Sequence, residues 1–262
     1  MESAIWIGGL VGLILVLAYL FWRYYWFLRN PKRLPPPGEG LLSPADGTVV
    51  YAHRIEPGQP AVSIKKGLQA TIKDISSQDL AGPLFQIGVF MSPFDVHYNR
   101  SPLTGKVEFV RHYPAKPVNL NMAAMHCRVI FQWPPLFKNS RHIVQNERTV
   151  TKILGRLRGR DLGTYIVQIA GKTVRGIEVL VSEGAMIERG QVFGLIRIGS
   201  QVDLFVPCLE SLAIKVKEGD KVKAGQSVLI DFLTTDNSFN QNPKGDGMNE
   251  GFSGGYTLSV TD

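Results

Sequence analysis

The sequence predicts a mainly β fold, a β-rich α+β domain placed behind one N-terminal transmembrane helix, on three observations. Short runs of β-branched and aromatic residues, broken by Gly and Pro, recur from residue 41 to about residue 232. An eleven-residue pattern returns thirty-five residues later in the second half of the chain. Residues 4–22 carry no charge, and at about 1.5 Å of helical rise per residue they reach across the hydrocarbon core of a bilayer.

The chain has 262 residues, 44% of them hydrophobic, enough apolar side chain for one sizeable packed domain. Lys and Arg number 29 against 22 Asp and Glu, a net charge of +7. That excess suits an anionic membrane or a nucleic acid without choosing between them. Cys127 and Cys208 are far apart and show neither C-x-x-C nor Cys-to-His spacing, so neither a disulfide framework nor a metal site is signalled.

At the N-terminal end Glu2 precedes the apolar run, and Arg23, Arg29, Lys32 and Arg33 follow it among Tyr24, Tyr25 and Trp26. Positive charge on the C-terminal flank places the domain in the cytoplasm, on a single-pass anchor in the cell's inner membrane. A cleaved signal peptide would carry its positive residues before the apolar run. Residues 1–30 are therefore anchor and flank. Residues 31–40 contain Pro31, Pro35, Pro36 and Pro37, cannot continue a helix, and read as a stiff linker. The domain spans 41–235, with strands expected at 48–52, 85–91, 107–111, 165–170 and 211–216. Long helical periodicity is nearly absent. Residues 236–262 are polar and rich in Gly, Asn and Ser, with little to bury, and read as a disordered tail.

The repeat aligns residues 181–191, Val-Ser-Glu-Gly-Ala-Met-Ile-Glu-Arg-Gly-Gln, with residues 216–226, Val-Lys-Glu-Gly-Asp-Lys-Val-Lys-Ala-Gly-Gln. Each copy predicts strand, turn, strand, with Gly184 and Gly190, then Gly219 and Gly225, at the turns. The pattern resembles the barrel-sandwich of lipoyl and biotinyl domains, which implies a lipoyl-like β core. Those carriers attach their cofactor to a lysine beyond the second turn, and residues 228–236 contain none. The repeat therefore speaks for architecture and against a tethered cofactor.

Four segments carry residues capable of chemistry. Ser43-Pro-Ala-Asp46-Gly47-Thr-Val49 is a Pro/Gly turn entering a strand, with Asp46 able to stabilise the turn. The stretch 90–102 sets Asp95, His97, Asn99 and Arg100 between two Ser-Pro turns, a cluster suited to anion binding or proton transfer. Asn146-Glu147-Arg148 forms a compact polar triplet. Gly199-Ser200 is the one Gly-Ser dipeptide in residues 1–262 and sits between two apolar runs. Glycine admits a strained backbone, and the serine hydroxyl can attack the carbonyl just before it.

Together these segments resemble the phosphatidylserine decarboxylase family, whose members carry an S-P-A-D-G opening, an S-P-x-D-x-H loop, an N-E-R triplet and a Gly-Ser junction in this order. The resemblance covers roughly residues 41–232, and Gly-Ser-Gln-Val-Asp is similar to the short bacterial and archaeal members. It implies self-cleavage between Gly199 and Ser200, giving a β chain of 1–199 and an α chain of 200–262. Ser200 would attack the Gly199 carbonyl to form an ester, which eliminates; hydrolysis then releases the serine nitrogen as ammonia. A covalent pyruvoyl group is left at position 200, an electron sink in place of pyridoxal phosphate. It further implies His97 as the residue that returns a proton to the substrate, Asp46 as orienting or supplying the base for cleavage, and Asn99 and Arg100 as substrate contacts. The implied partners are phosphatidylserine in an anionic membrane and the two associated chains, possibly assembled further into a homo-oligomer, with no nucleic acid. Longer members have a second histidine where this chain has Arg100, and a threonine where it has Gln201. His112, His126 and His142 could each serve as the base by composition, although none lies in a matched motif. The competing readings are an uncleaved pseudoenzyme and a non-enzymatic membrane adaptor built on a barrel-sandwich. The adaptor gives no reason for Asp46, His97 and Ser200 to occur together, and the chain lacks the heptad hairpin such adaptors insert.

Overall fold

The computed structural model describes residues 2–65, 68–80, 82–172, 176–197 and 200–233. Gly199 and the tail expected at 236–262 lie outside the described residues. The apolar run forms α1 (Glu2–Leu20), continued by a π-helical stretch, Phe21–Trp26. Together they give one helix, Ile5–Trp26, long and apolar enough to cross a membrane.

The domain follows as β1 (Leu41–Leu42), β2 (Gly47–Ile55), β3 (Val62–Lys65), β4 (Leu68–Ala70), α2 (Ile72–Ser76), β5 (Leu84–Met91), β6 (Tyr98–Arg100) and β7 (Gly105–Tyr113). Then come α3 (Ala123–Phe131), α4 (His142–Gln145), β8 (Arg148–Leu157), β9 (Arg160–Ile169), β10 (Ile177–Val179), β11 (Met186–Ile187) and β12 (Val192–Ile196). The last elements are β13 (Ser200–Pro207), β14 (Leu212–Ile214), β15 (Lys221–Val222) and β16 (Val228–Phe232). The fold is mainly β, as expected, and each expected strand lies on or overlaps one of these. The α part of the expected α+β domain is the short helices α2, α3 and α4, whose positions the sequence did not indicate. Only Met125 and Val129 of α3 are buried, too few positions to write a helical period into the sequence.

Eight strands form one antiparallel sheet in the order β11-β7-β8-β9-β13-β5-β2-β15. Both faces of its centre are covered. Val202, Leu204 and Val206 of β13 enter one core with Val49, Val89 and Phe193. Phe205 points the other way, into a second core with Tyr51, Phe90, Met125 and Ile143, as the two-residue strand period requires.

The repeat builds the sheet's two edges. The first copy, residues 181–191, holds β11 between two turns, with β10 and β12 on either side, and the second, residues 216–226, holds β15 likewise between β14 and β16. Each copy is thus turn, strand, turn where strand, turn, strand was expected; β11 closes one edge against β7, and β15 closes the other against β2. The outer strands form two small sheets, β10-β12-β6 and β1-β16-β14. The four turn glycines all take positive φ: Gly184 at 85°, Gly190 at 82°, Gly219 at 94° and Gly225 at 70°. The sheet curls until its edges meet, with a Cβ at Gly225 falling 3.4 Å from the Gly190 Cα.

This internal two-fold extends beyond the repeat. Residues 43–49 and 101–107 share a Ser-Pro-x-x-Gly-x-Val pattern, and their hydrogen bonds correspond. Leu42 N donates to Pro102 O and Arg100 N to Pro44 O, both at 3.0 Å. Gly225 N donates to Ser43 O at 2.9 Å, and Gly190 N to Ser101 O at 2.8 Å. Asp46 accepts the Ala224 amide at 2.7 Å, and Thr104 accepts the Arg189 amide at 3.0 Å. Position 46 is therefore a turn cap whose counterpart is a threonine.

The Pro-rich linker runs along the domain instead of standing off as a spacer. Arg189 donates to Gly40 O at 2.9 Å and Pro36 O at 2.8 Å, and Arg100 donates to Pro31 O at 3.0 Å. Extended Pro-rich backbone leaves its carbonyls without local donors, so arginines from the barrel turns take them.

Candidate active site

Ser200 opens β13 and is fully buried. It pairs with Met91 of β5, and its hydroxyl donates to the Met91 sulfur at 3.3 Å. A thioether is a weak acceptor, so the hydroxyl is held loosely; no imidazole or carboxylate among the described residues hydrogen-bonds to it. Asn99 of β6 meets the same sulfur at 3.8 Å, reaches Pro44 O at 3.4 Å, and accepts from Gln168 at 2.8 Å. Thr48, Phe90 and Gln201 form one rung across β2, β5 and β13, so the Asp46–Gly47 turn lies about 10 Å, two strand spacings, from Ser200.

His97 is fully buried. Its Nδ1–H donates to the Asp95 carbonyl at 2.9 Å, while Nε2 has no hydrogen-bond partner among the described residues. Burial pulls its pKa down to about 4, the Asp95 contact opposes that, Arg29 lowers it further, and Asp46 raises it. At neutral pH the ring is uncharged, with its lone pair on Nε2. Phe27, also fully buried, lies over the ring with centroids 4.1 Å apart.

Asp46 is bound by Arg33 through both carboxylate oxygens, one contact at 2.7 Å from Nη2 and the other from Nη1, in addition to the Ala224 amide. Arg100 is buried, with Nη1 on Gly190 O at 3.0 Å and Nη2 on Asn30 Oδ1 at 2.7 Å and Pro31 O. The structure thus gathers Asp46, His97, Asn99, Arg100 and Ser200 at one end of the barrel, and turns both terminal nitrogens of Arg100 toward the Gly190 and Pro31 carbonyls and the Asn30 side chain.

The Asn-Glu-Arg triplet lies on the other face. Arg148 is fully buried and donates to the carbonyls of Asp74, Ile75 and Val144. Asn146 ties Leu120 to Ala170. Arg148 holds α2 and α4 to the sheet, and Asn146 holds the loop before α3 to the end of β9.

Sequence reasoning missed a buried polar network behind Ser200. Gln201 and Asp203 alternate with Ser200 and Val202, so they face the second core. There Tyr51 donates to Asp203 at 2.6 Å, and Gln201 donates to Tyr51 and Asp203, both at 2.7 Å. His142 donates to Gln201 at 3.1 Å. Burial pushes Asp203 up to about 6, against hydrogen bonds from Gln201, Tyr51 and Gln86. Burial pulls His142 down to about 4. His142 therefore reaches β13, but on the face opposite Ser200. The available signal was two polar residues two apart in an otherwise apolar strand.

The family model for phosphatidylserine decarboxylase matches residues 20–230. A phosphatidylserine decarboxylase proenzyme of Cereibacter sphaeroides is 34% identical over 230 residues, covering 87% of this chain and 80% of the relative. The proenzyme of Nitrobacter winogradskyi is 33% identical over 232 residues, covering 88% and 75%, and that of Pelobacter propionicus 34% over 221 residues, covering 84% and 81%. These matches run through the anchor's end, the Asp46 turn, the His97 loop and the strand of Ser200 together, which a membrane adaptor would not share. The chain belongs to the phosphatidylserine decarboxylase family.

Proposed function

We propose that this protein is a self-processing decarboxylase that cuts itself between Gly199 and Ser200 and converts phosphatidylserine to phosphatidylethanolamine and carbon dioxide. The observation that carries the reading is the setting of Ser200. It is a buried, loosely held hydroxyl at the first residue of a central strand, beside the His97 loop, in a chain of this family.

The residues present fit a pyruvoyl group at position 200. Scission before Ser200 leaves β13 paired along its length with β5 and over five residues with β9, so the new chain end stays in place. The α chain also keeps β15 on β2 and β16 on β1, and each chain retains one copy of the repeat. The pyruvoyl ketone, once formed, supplies the electron sink for decarboxylation. Asp46 orients or supplies the base that takes the serine proton. His97, uncharged and with Nε2 open, takes the proton that the headgroup ammonium must lose and returns one to the former Cα. Phe27 keeps water off that imidazole. Asn99, which shares the Met91 sulfur with Ser200, is a substrate contact in this reading. Arg100, committed to the Gly190 and Pro31 carbonyls and the Asn30 side chain, favours the anionic headgroup through its field.

The helix Ile5–Trp26 anchors the protein in the inner membrane with the domain on the cytoplasmic side, following the positive flank Arg23, Arg29, Lys32 and Arg33. Phe27, the residue after this helix, packs on His97, which supports a site close to the bilayer surface where the headgroup lies. The test is turnover of phosphatidylserine in vesicles by wild type, Ser200→Ala and His97→Ala. Ser200→Ala should stay uncut and inactive, and His97→Ala should be cut yet turn over at least about a hundredfold more slowly. An uncut wild-type chain that makes no phosphatidylethanolamine would identify a pseudoenzyme.

A further inference from the structure

We infer that Arg33 is a positioning residue, whose two-pronged grip on Asp46 latches the juxtamembrane strap, residues 27–33, over His97 and makes that strap a wall of the active site. This rests on the site proposed above and adds the element that closes it.

The internal two-fold isolates the feature. Asp46 and Thr104 occupy equivalent turns and accept equivalent amides, from Ala224 and Arg189. A hydroxyl suffices for that task at Thr104. What the carboxylate adds at position 46 is the pair with Arg33, whose side chain and that of Asp46 are only 8% and 10% exposed. Arg33 also donates to Ala224 O at 2.9 Å, so it closes over the same turn that Asp46 caps.

The strap is fastened at further points between Phe27 and Arg33. Arg29 donates to Phe94 O at 2.6 Å, in the loop that bears His97, and Arg100 holds Asn30 and Pro31. Just before these points Phe27 covers the imidazole. Bidentate arginine–carboxylate geometry fixes direction as well as distance, so the latch sets where Phe27 sits. Since the strap continues from the helix that enters the bilayer, anchoring and site closure are one construction.

The test uses the full-length chain in nanodiscs, with Arg33→Ala and Arg33→Lys. Hydrogen exchange of strap amides reads the latch; the NMR titration of His97 reads the cover; Ser200 scission and turnover are measured separately. The groups facing His97 are Phe27, the Asp95 carbonyl, Arg29 and Asp46, and without the strap the ring is rehydrated. For Arg33→Ala, strap exchange should rise at least about tenfold with β5 and β13 unchanged. The His97 titration should move up from about 4 toward its ordinary value, and turnover per cleaved chain should fall. Arg33→Lys, which keeps charge but loses the fork, should lie between. An unmoved strap and unmoved His97 titration in Arg33→Ala would overturn the inference, as would a released strap with wild-type turnover. Failure of the wild-type chain to cut at Ser200 overturns the proposed function instead, and is read independently by mass.

Discussion

Asp46→Thr separates the two jobs the structure gives this residue. Thr104 shows that a hydroxyl can accept the turn amide in the equivalent place, so the substitution keeps a bond worth about 1 kcal/mol. It removes the partner of Arg33. Two charge-assisted bonds between buried groups are lost, each worth about 1.5–3 kcal/mol. Arg33 stands on the linker and can turn its head into water, so that loss falls on docking of the strap. Barrel stability should therefore change by less than about 1 kcal/mol. Cleavage should change far more, because a carboxylate that positions proton-transfer groups contributes on the order of a hundredfold or more to rate. The assay follows conversion of newly made chain into two by intact mass, with thermal unfolding of uncut material in parallel. A folded Asp46→Thr chain that stays largely uncut is the expected result. The same chain cutting at the wild-type rate would refute the role of the carboxylate.

Gly47→Ala should be far more damaging to the fold: Gly47 has φ of 148°, and a Cβ there would stand 2.0 Å from the Phe90 carbonyl oxygen. Phe90 is fixed by the rung to Gln201, so neither backbone can yield, and a loss of at least about 3 kcal/mol is expected in denaturant unfolding. His142 is held uncharged by burial, its pKa lowered from 6.5 to about 4. Its contribution to stability is present above the unfolded value and lost as pH falls through the folded one, about 3 kcal/mol in all. Asp203, raised from 3.8 to about 6, works in the opposite sense: its contribution is present at low pH and lost as pH rises through about 6. His142→Gln should therefore gain about 2–3 kcal/mol relative to wild type between pH 7 and pH 4.5, and an unchanged difference would show that His142 is not held neutral. Asp203→Asn should flatten the rise in stability from pH 7 to pH 5 that Asp203 contributes.

Those features that depend on local chain chemistry were legible in the sequence. The turns at Gly184, Gly190, Gly219 and Gly225 need positive φ, and only glycine adopts it cheaply, so the repeat announced its turns, though not the partners of the strands between them. Asp46, His97, Asn99 and Ser200 were found as motifs and do converge on one end of the barrel. What escaped is set by pairing over long separations. The Gln201–Asp203–Tyr51–His142 network exists because β13 lies between β5 and β9 and turns alternate residues to opposite cores. The kinship of residues 43–49 with 101–107 is carried by few shared letters and becomes plain only from their matching hydrogen bonds. The docking of the linker depends on arginines 100 and 189, remote in sequence, and its prolines alone suggested a spacer.

The measurement that bears most directly on the account is the intact mass of the purified full-length protein. Two chains are predicted, the smaller beginning at position 200 with its serine converted to a borohydride-reducible pyruvoyl group. A single chain of full mass, or a cut at any other position, would contradict it.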